Sequence, residues 1–345
     1  MIAHTHKHWN MVAAYSIIHL FVDFACAFLM FRSIAGTPSS YLCVLLYNFC
    51  AFAMQMPLGI IADRCNRNIM FAVFGCILVG LAYGLIHLPI AAVIVMGIGN
   101  AMFHIGGGID VLHISEKKLS ALGIFVAPGA FGIYYGTMLG RGSDVSAIFI
   151  PLALVIAAAL LFLSYKAQKG TYPKNAPFSL DGTRSLHILI AIACLFLVVV
   201  LRSFVGLELD FSWKGIGSFG TVLICAVVFG KIMGGFAADR YGIRKTSAIS
   251  LSIAAMLFLF PMIPLAGVTV VLLFNMTMPI TLWILAKLLP GAKGFAFGLL
   301  TFGLFIGFLP TYLGVDTSLY TPWLFSLLTA GSLALLLISL RMTKL

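Results

Sequence analysis

Four polar side chains stand in the middle of apolar runs: His19 and Asp23 in "HLFVD", and Asn100 and His104 in "GNAMFHIGGG". Each pair is spaced i, i+4, so on a helix its members lie about 40° apart and share one face, with Ser16 continuing the first stripe. A carboxylate beside imidazoles can exchange protons near neutral pH, because histidine changes charge there and a carboxylate out of water needs a partner or a proton. The same donors, His19, Asp23 and His104, could ligate a transition metal if they converged, and "HTHKH" at the start of the chain either collects metal or is a solvated tail. An enzyme is not described by these residues. No histidine pair on one helix face comes with a general-base Glu, no nucleophile stands beside a base, and "GIGNAM" from Gly97 lacks the third glycine and the preceding strand of a dinucleotide loop. No Walker loop is present either, so an ion gradient must supply energy, and no cofactor is expected.

The runs that carry these groups explain where they sit. The chain has 345 residues, 62% hydrophobic and 9% charged, with a mean hydropathy of +1.11, the composition of an integral membrane protein. Continuous apolar runs of about 20 residues recur nearly end to end, each long enough to cross a hydrocarbon core as a helix. They predict spans over Trp9–Phe31, Ser39–Ala62, Ile69–Leu88, Pro89–His113, Leu119–Gly140 and Val145–Tyr165. After the polar stretch "KAQKGTYPKNAPFSLDGTRS" a second set covers Leu186–Leu207, Gly215–Ala238, Thr246–Leu265, Val268–Leu288, Gly294–Gly314 and Pro322–Leu340. That is an all-α protein of about twelve transmembrane helices; a barrel is excluded because its strands alternate over roughly ten residues.

Charge fixes the orientation. The formal net charge is +11, and with the spans threaded in order 16 of the 21 Lys and Arg residues, from Lys7, Arg64 and Arg67 through Lys117, Lys169, Lys174, Arg240, Arg244 and Lys293 to Arg341 and Lys344, fall on one side. Arg32, Arg141 and Lys214 fall on the other, and Arg202 and Lys231 lie within spans. The positive-inside bias makes the first side cytosolic, with both termini inside a cell (inner) membrane. The basic balance is therefore topological and implies no nucleic-acid partner. The first span is not a cleavable signal, having no small-residue cleavage pattern before it. Seven scattered cysteines read as buried thiols without a disulfide role.

Helix rise places His19, Asp23, Asn100 and His104 within roughly a turn of the membrane midplane, and Arg202 in the outer half of the seventh span. Ionisable groups there are costly and mark function by default. Asn48 and Gln55 are expected to bond between helices. His87, Asp110 and His113 sit near span ends and read as interfacial, and Lys231 can snorkel.

Two turns repeat: "GIIADRCNRN" from Gly59 and "GGFAADRYGIRK" from Gly234, with Asp63-Arg64 and Asp239-Arg240 about half the chain apart, as in a parallel duplication of six spans. The halves are then 1–165 and 186–345, joined by a cytosolic linker over 166–185. These turns resemble the signature loop of the major facilitator superfamily. The first copy departs from it, with Asn66 where glycine is usual and Asn68 where a base is usual. The resemblance implies two pseudo-symmetric six-helix halves whose loops clamp the cytosolic side, with Asp63 meeting the start of the eleventh helix near Gly294. Arg67 would pair with Asp110 or Glu116, and Asp239, Arg240 and Arg244 would serve the second loop. Helices one, four, seven and ten line the cavity in that fold, so His19, Asn100, His104, Arg202 and Asn275 would contact substrate there, with Thr277 beside them.

"HLFVD", "GNAMFHIGGG", "VAPGAFG" and "LRSFVG" together resemble the fosmidomycin resistance protein branch, whose members export small polar or drug-like molecules. "APGAFGIYYG" looks loosely like the antiporter motif of proton-driven exporters, with Ala127 replacing a glycine. The resemblance implies a monomeric, proton-coupled secondary transporter working by alternating access, with a small-molecule substrate, protons and membrane lipid as partners. Asp23, His19 and His104 would move the proton, and Arg202 would attract an anion or pair with Asp23. The competing expectation is a transition-metal transporter with His19, Asp23 and His104 as ligands.

Overall fold

A computed structural model describes residues 2–116, 118–142, 146–167, 174–315 and 321–343. Lys117, Val145, Lys169 and Lys344 lie outside the described residues, as do the side chains of His4, His6, Lys7 and His8. All regular structure among the described residues is helical. Among the described residues, eleven helices are long and apolar enough to cross a membrane. They are α1 (Trp9–Ile34), α2 (Ser40–Cys65), α3 (Asn68–Leu85), α4 (Pro89–Ile114), α5 (Ser120–Gly142), α6 (Phe149–Lys166), α7 (Leu186–Glu208), α8 (Phe219–Tyr241), α10 (Pro264–Leu288), α11 (Lys293–Tyr312) and α12 (Pro322–Thr343). Between α8 and α10 comes α9 (Ile243–Leu257), of only 15 residues, about 22 Å of rise. It is shorter than the run from Thr246 to Leu265 suggests because "PMIP" intervenes: Pro261 stands in the turn and Pro264 opens the next helix.

Several spans are not uniform helices. Pro128 has no N–H to give the ladder, so α5 divides into Ser120–Val126 and Gly129–Gly142. α10 divides at Met276 into Pro264–Asn275 and Thr277–Leu288. Wider π-helical turns occupy Met30–Ile34 in α1 and Phe49–Ala53 in α2.

The chain forms two compact units that exchange segments along the sequence. One comprises residues 1–114, 128–178 and 290–302; the other comprises 115–127, 179–289 and 303–345. The first half-turns of α5 thus join the second unit, and the start of α11 joins the first.

Inside the first unit, backbones approach closely through glycine. Gly132, Gly136 and Gly140 run down one face of α5 against α1: a Cβ on Gly140 would come 2.8 Å from the Phe28 carbonyl oxygen, and one on Gly132 2.9 Å from the Phe24 nitrogen. α3 and α4 meet the same way, a Cβ on Gly99 falling 2.8 Å from the Val79 nitrogen. In lipid, where tails are as apolar as leucine, such close packing is the main attraction between helices. The second unit has an aromatic cluster at one end, with Phe211 stacked on Trp213 at 4.7 Å and the Trp213 indole N–H donating to the Pro261 carbonyl at 2.8 Å.

Counting α9 as a span makes the total even and returns the chain to the side on which it began. Single cysteines introduced at Arg244, at the start of α9, and at Met262, in the exposed turn after it, in a cysteine-free background, should react with an impermeant maleimide from opposite faces. Labelling of both from one face would remove α9 from the membrane.

Candidate functional site

Asp23 is 7% exposed on α1 and collects three polar groups. His19, one turn earlier, brings Nε2 within 3.1 Å of Oδ2; Asn100 on α4 donates from Nδ2 to Oδ1 at 2.9 Å; and His104 Nε2 stands 3.7 Å from Oδ1. The two imidazoles face each other edge to face with Nε2 to Nε2 of 2.8 Å. The i, i+4 spacing on both helices therefore makes one cluster in the first unit. The Ser16 hydroxyl donates to the Val12 carbonyl of its own helix at 2.7 Å. α5 closes the cluster from behind: a Cβ on Gly129 would overlap the Asp23 carboxylate and the His19 ring.

The hydrogen bonds can be counted in protons. His104 Nδ1 lies 2.9 Å from the Asn100 carbonyl oxygen, an acceptor only, so Nδ1 carries a hydrogen. With both rings neutral and Asp23 ionised, His104 Nε2 is then an acceptor, and the one hydrogen left among His19 Nε2, His104 Nε2 and the carboxylate sits on His19. A further proton can be placed on Asp23 or on a ring nitrogen. A metal fits this arrangement less well. Two nitrogens sharing a tetrahedral ion at about 2.0–2.1 Å stand roughly 3.3 Å apart, whereas 2.8 Å is the length of a hydrogen bond.

The repeated loops hold two further carboxylates in matching positions. Asp63, 4% exposed at the end of α2, accepts from the Gly294 N–H at 2.8 Å and the Phe295 N–H at 2.9 Å. Those amides begin α11 and have no partner within their own helix, and the helix dipole favours an anion there. Asp239, at the end of α8 in the second unit, accepts from the Leu119 and Ser120 N–H groups at 2.7 and 3.0 Å, at the start of α5. Gly59 and Gly235, each four residues before its aspartate, let the helices touch; a Cβ on Gly235 would lie 2.9 Å from the Leu119 oxygen. Arg64, Arg240 and Arg244 are exposed.

Other expected residues are placed differently. Asp110 is not interfacial: it is fully buried, accepting from the Tyr15 hydroxyl at 2.6 Å and from Asn68 Nδ2 at 2.9 Å. Asn68 has taken the place of a base, and Arg67 is exposed with no ion pair among the described residues. Arg202, 8% exposed, donates from Nη2 to Thr281 Oγ1 at 2.9 Å in the second unit, while Asp23, in the first, takes bonds from His19 and Asn100. Lys231 does not snorkel; it is buried and donates to the Val126 carbonyl at 3.3 Å. Asn48, Gln55 and Asn275 each bond the carbonyl four residues back on their own helix, at 2.8, 2.6 and 2.8 Å, so none of the three amides makes an interhelical bond through nitrogen. Thr277 is buried and donates to the Phe274 carbonyl. Of the seven cysteines, Cys65 is exposed and Cys225 half-buried, against the reading that all are buried.

Tyr15, Asn175 and Lys293 were not expected as site residues from the sequence, and Asn68 was marked only as a departure from the loop pattern. Tyr15 had a signal, since it precedes His19 by one turn on the same face. Asn175, in a polar linker, had none.

No protein-family model matches the chain, and no curated protein matches it. Among solved structures it is similar to a variant of the E. coli fucose:proton symporter FucP, with a TM-score of 0.69, 14% identity, and 97% of this chain and 98% of that one covered. It is similar also to FucP, a major facilitator superfamily transporter, in the outward conformation, with a TM-score of 0.67, 16% identity, and 97% and 99% coverage. The chain has the major facilitator fold.

The contact of Gly129 with the acid and imidazole gives a direct test. Gly129→Ala forces the cluster apart, and overpacking of this kind costs about 1–3 kcal/mol, so the unfolding temperature of the purified protein should fall by several degrees. Gly142→Ala, whose added Cβ meets nothing within 4 Å, should leave it unchanged. Equal melting of the two variants would mean that α5 does not confine Asp23.

Proposed function

We propose that the chain is a secondary active transporter that couples proton movement to export of a small polar, anionic or drug-like molecule by alternating access. The observation that carries the reading is the Asp23, His19, His104 and Asn100 cluster, which is buried, internally hydrogen-bonded and able to hold one proton more or fewer. A group of this kind links a proton gradient to conformation if its two accesses bind the proton with different affinity. The fold of a proton symporter supports the coupling, and the resemblance to the fosmidomycin resistance branch supports export. We read residues 1–165 and 186–345 as the two six-helix halves and 166–185 as their linker. We place both termini in the cytosol of a cell whose inner membrane holds the protein as a monomer.

Arg202 is our choice for the substrate's anionic group. Its Nε and Nη1 are buried and have no hydrogen-bond partner among the described residues. A cation removed from water without a counter-charge is costly, and a carboxylate, phosphate or phosphonate on the cargo would supply both charge and acceptors. His19, Asn100, His104 and Asn275 would contact the rest of the cargo. Asp63 and Asp239, with the arginines beside them, are read as gate locks that part once per cycle.

Two measurements test these assignments. A ligand-stabilisation screen of phosphonates, organic acids, cationic drugs and divalent metals should find stabilisation by acids in the wild type, worth about 2.7 kcal/mol at a hundred times Kd, and none in Arg202→Ala; stabilisation by a divalent metal that is lost in His104→Ala would favour metal transport instead. With the acid so found, Asp23→Asn in proteoliposomes should lose accumulation driven by a pH gradient while retaining exchange at equal pH. His104→Ala should weaken binding more than coupling. Full gradient-driven accumulation by Asp23→Asn would remove that carboxylate from the mechanism.

Asp63→Asn exchanges an anion for a neutral amide at the start of α11, a change worth roughly 1 kcal/mol or more. The variant should fold and show easier opening at the basic end, read as faster hydrogen exchange across residues 296–300 of α11, beyond the two amides that Asp63 itself accepts from. An unchanged rate would end the gate assignment.

A further inference from the structure

The two copies of the repeated loop align residue for residue at their aspartates, which puts Asn66 opposite Gly242 and Asn68 opposite Arg244. Both asparagines are departures from the pattern, and both bond one residue of the polar linker. The Asn175 backbone N–H donates to Asn66 Oδ1 at 2.8 Å. Its side chain exchanges two bonds with Asn68, at 2.8 and 3.1 Å, and donates to the Ala62 carbonyl at 3.2 Å. His113 Nε2 lies 3.0 Å from Asn175 Oδ1, and His113 Nδ1 lies 2.9 Å from Lys293 Nζ. Lys293 is the first residue of α11, and the next two amides are the ones that hold Asp63.

The backbone agrees with this arrangement. Asn66 takes the left-handed conformation, φ 51° and ψ 43°, and is the only non-glycine residue among those described with a positive φ. Gly242 stands at the same place in the second copy with φ 86°. Asparagine tolerates the left-handed region at some cost relative to glycine; what it adds is a side-chain acceptor, which Asn175 uses. The arginines differ likewise: Arg64 lies over the ring of Phe178, three residues beyond Asn175, at 4.7 Å, whereas Arg240 lies over its own neighbour Tyr241 at 5.6 Å.

We propose that the linker segment from Asn175 to Phe178 is a latch on the first lock, Asn175 acting as a positioning residue that holds the α2–α3 turn and Lys293 so that Asp63 meets the α11 amides. Opening of that lock draws Lys293 away from His113 and so parts the chain of bonds, Asn175 to His113 to Lys293, by which the linker and the α2–α3 turn reach α11. The linker and the lock are therefore two readings of one equilibrium, and anything that pulls on the linker opens the first lock. The second lock has no such strap on it among the described residues: Gly242 offers no side chain, and Arg244 is exposed. This makes the two locks unequal in a fold built from similar halves.

The inference rests on the reading of these contacts as locks, but its test needs no cargo and so fails separately from the transport proposal. Hydrogen exchange on the full-length protein reads the Gly294 and Phe295 amides of the first lock and the Leu119 and Ser120 amides of the second. Asn175→Ala should speed exchange at residues 293–297 by roughly tenfold, the size expected for one net hydrogen bond lost, with no change at 119–123. Phe178→Ala, which leaves the amide cluster intact, should give a smaller rise at the same peptide. In a chain carrying Asn66→Gly and Asn68→Arg, which copies the second loop onto the first, Asn175→Ala should add less than in the wild type, since only its bonds to Ala62 and His113 are left to lose. Unchanged exchange at 293–297 in both linker variants, or an equal rise at the two locks, would overturn the latch.

Discussion

A carboxylate that is kept from water must find its donors inside the protein, and the architecture is organised around that demand. The chain has only 10 acidic residues, and three of them, Asp23, Asp63 and Asp110, are buried. Each is answered differently. Asp63 takes two amides left over at the start of α11, so a feature every helix has becomes the anchor between elements 231 residues apart in sequence. Asp110 takes a tyrosine hydroxyl and an asparagine amide, both neutral. Asp23 is given imidazoles, which can carry a proton themselves. Only the last has donors that can themselves take up a proton, which is why we propose the cluster on α1 and α4, and not Asp63 or Asp110, as the proton-coupling group.

Much of this could be seen in the residues themselves. Hydropathy runs place almost every span, and the shortening of α9 comes from the two prolines that end it. Spacing of four on two separate helices brings His19, Asp23, Asn100 and His104 to a common cluster, and the loop resemblance anticipated Asp63 at Gly294. What failed did so where the partner is remote and chemically ordinary. Asp110 looks interfacial by position because nothing nearby indicates that Tyr15, 95 residues away, will cover it. Asn48 and Gln55 satisfy themselves on the preceding turn, an option open to any amide on a helix and invisible to an argument from polarity alone. Lys231 finds the Val126 carbonyl near the break at Pro128, where the α5 ladder is interrupted.

The departures from the repeated pattern carry information of their own. Asn66 and Asn68 look from sequence like a weakened loop, since a glycine and a base are missing. In the fold they are amides facing an amide, and the base is no longer required because Asp110 is served by Asn68 and Tyr15. A neutral partner also has a mechanical consequence. An arginine bonded to Asp110 would tie the loop to α4 by charge, whereas an asparagine shared between Asp110 and Asn175 ties α4, the loop and the linker together through bonds that are individually weak and break in concert.

The same logic separates the three buried cations, Lys231, Lys293 and Arg202. Lys231 and Lys293 have neutral acceptors at hand, a carbonyl and an imidazole nitrogen. Arg202 has a single threonine hydroxyl and two buried nitrogens with nothing to donate to among the described residues. A guanidinium cannot be relieved of its proton in a protein, so its charge has to be answered by another group or by water. Thr281 cannot do this, because its hydroxyl already donates to backbone oxygens on its own helix and offers Arg202 only a neutral acceptor. On our proposal the missing acceptor arrives with the cargo: an acid would gain the interaction without a competing internal salt bridge to break, so the site would favour acids over neutral molecules of the same shape.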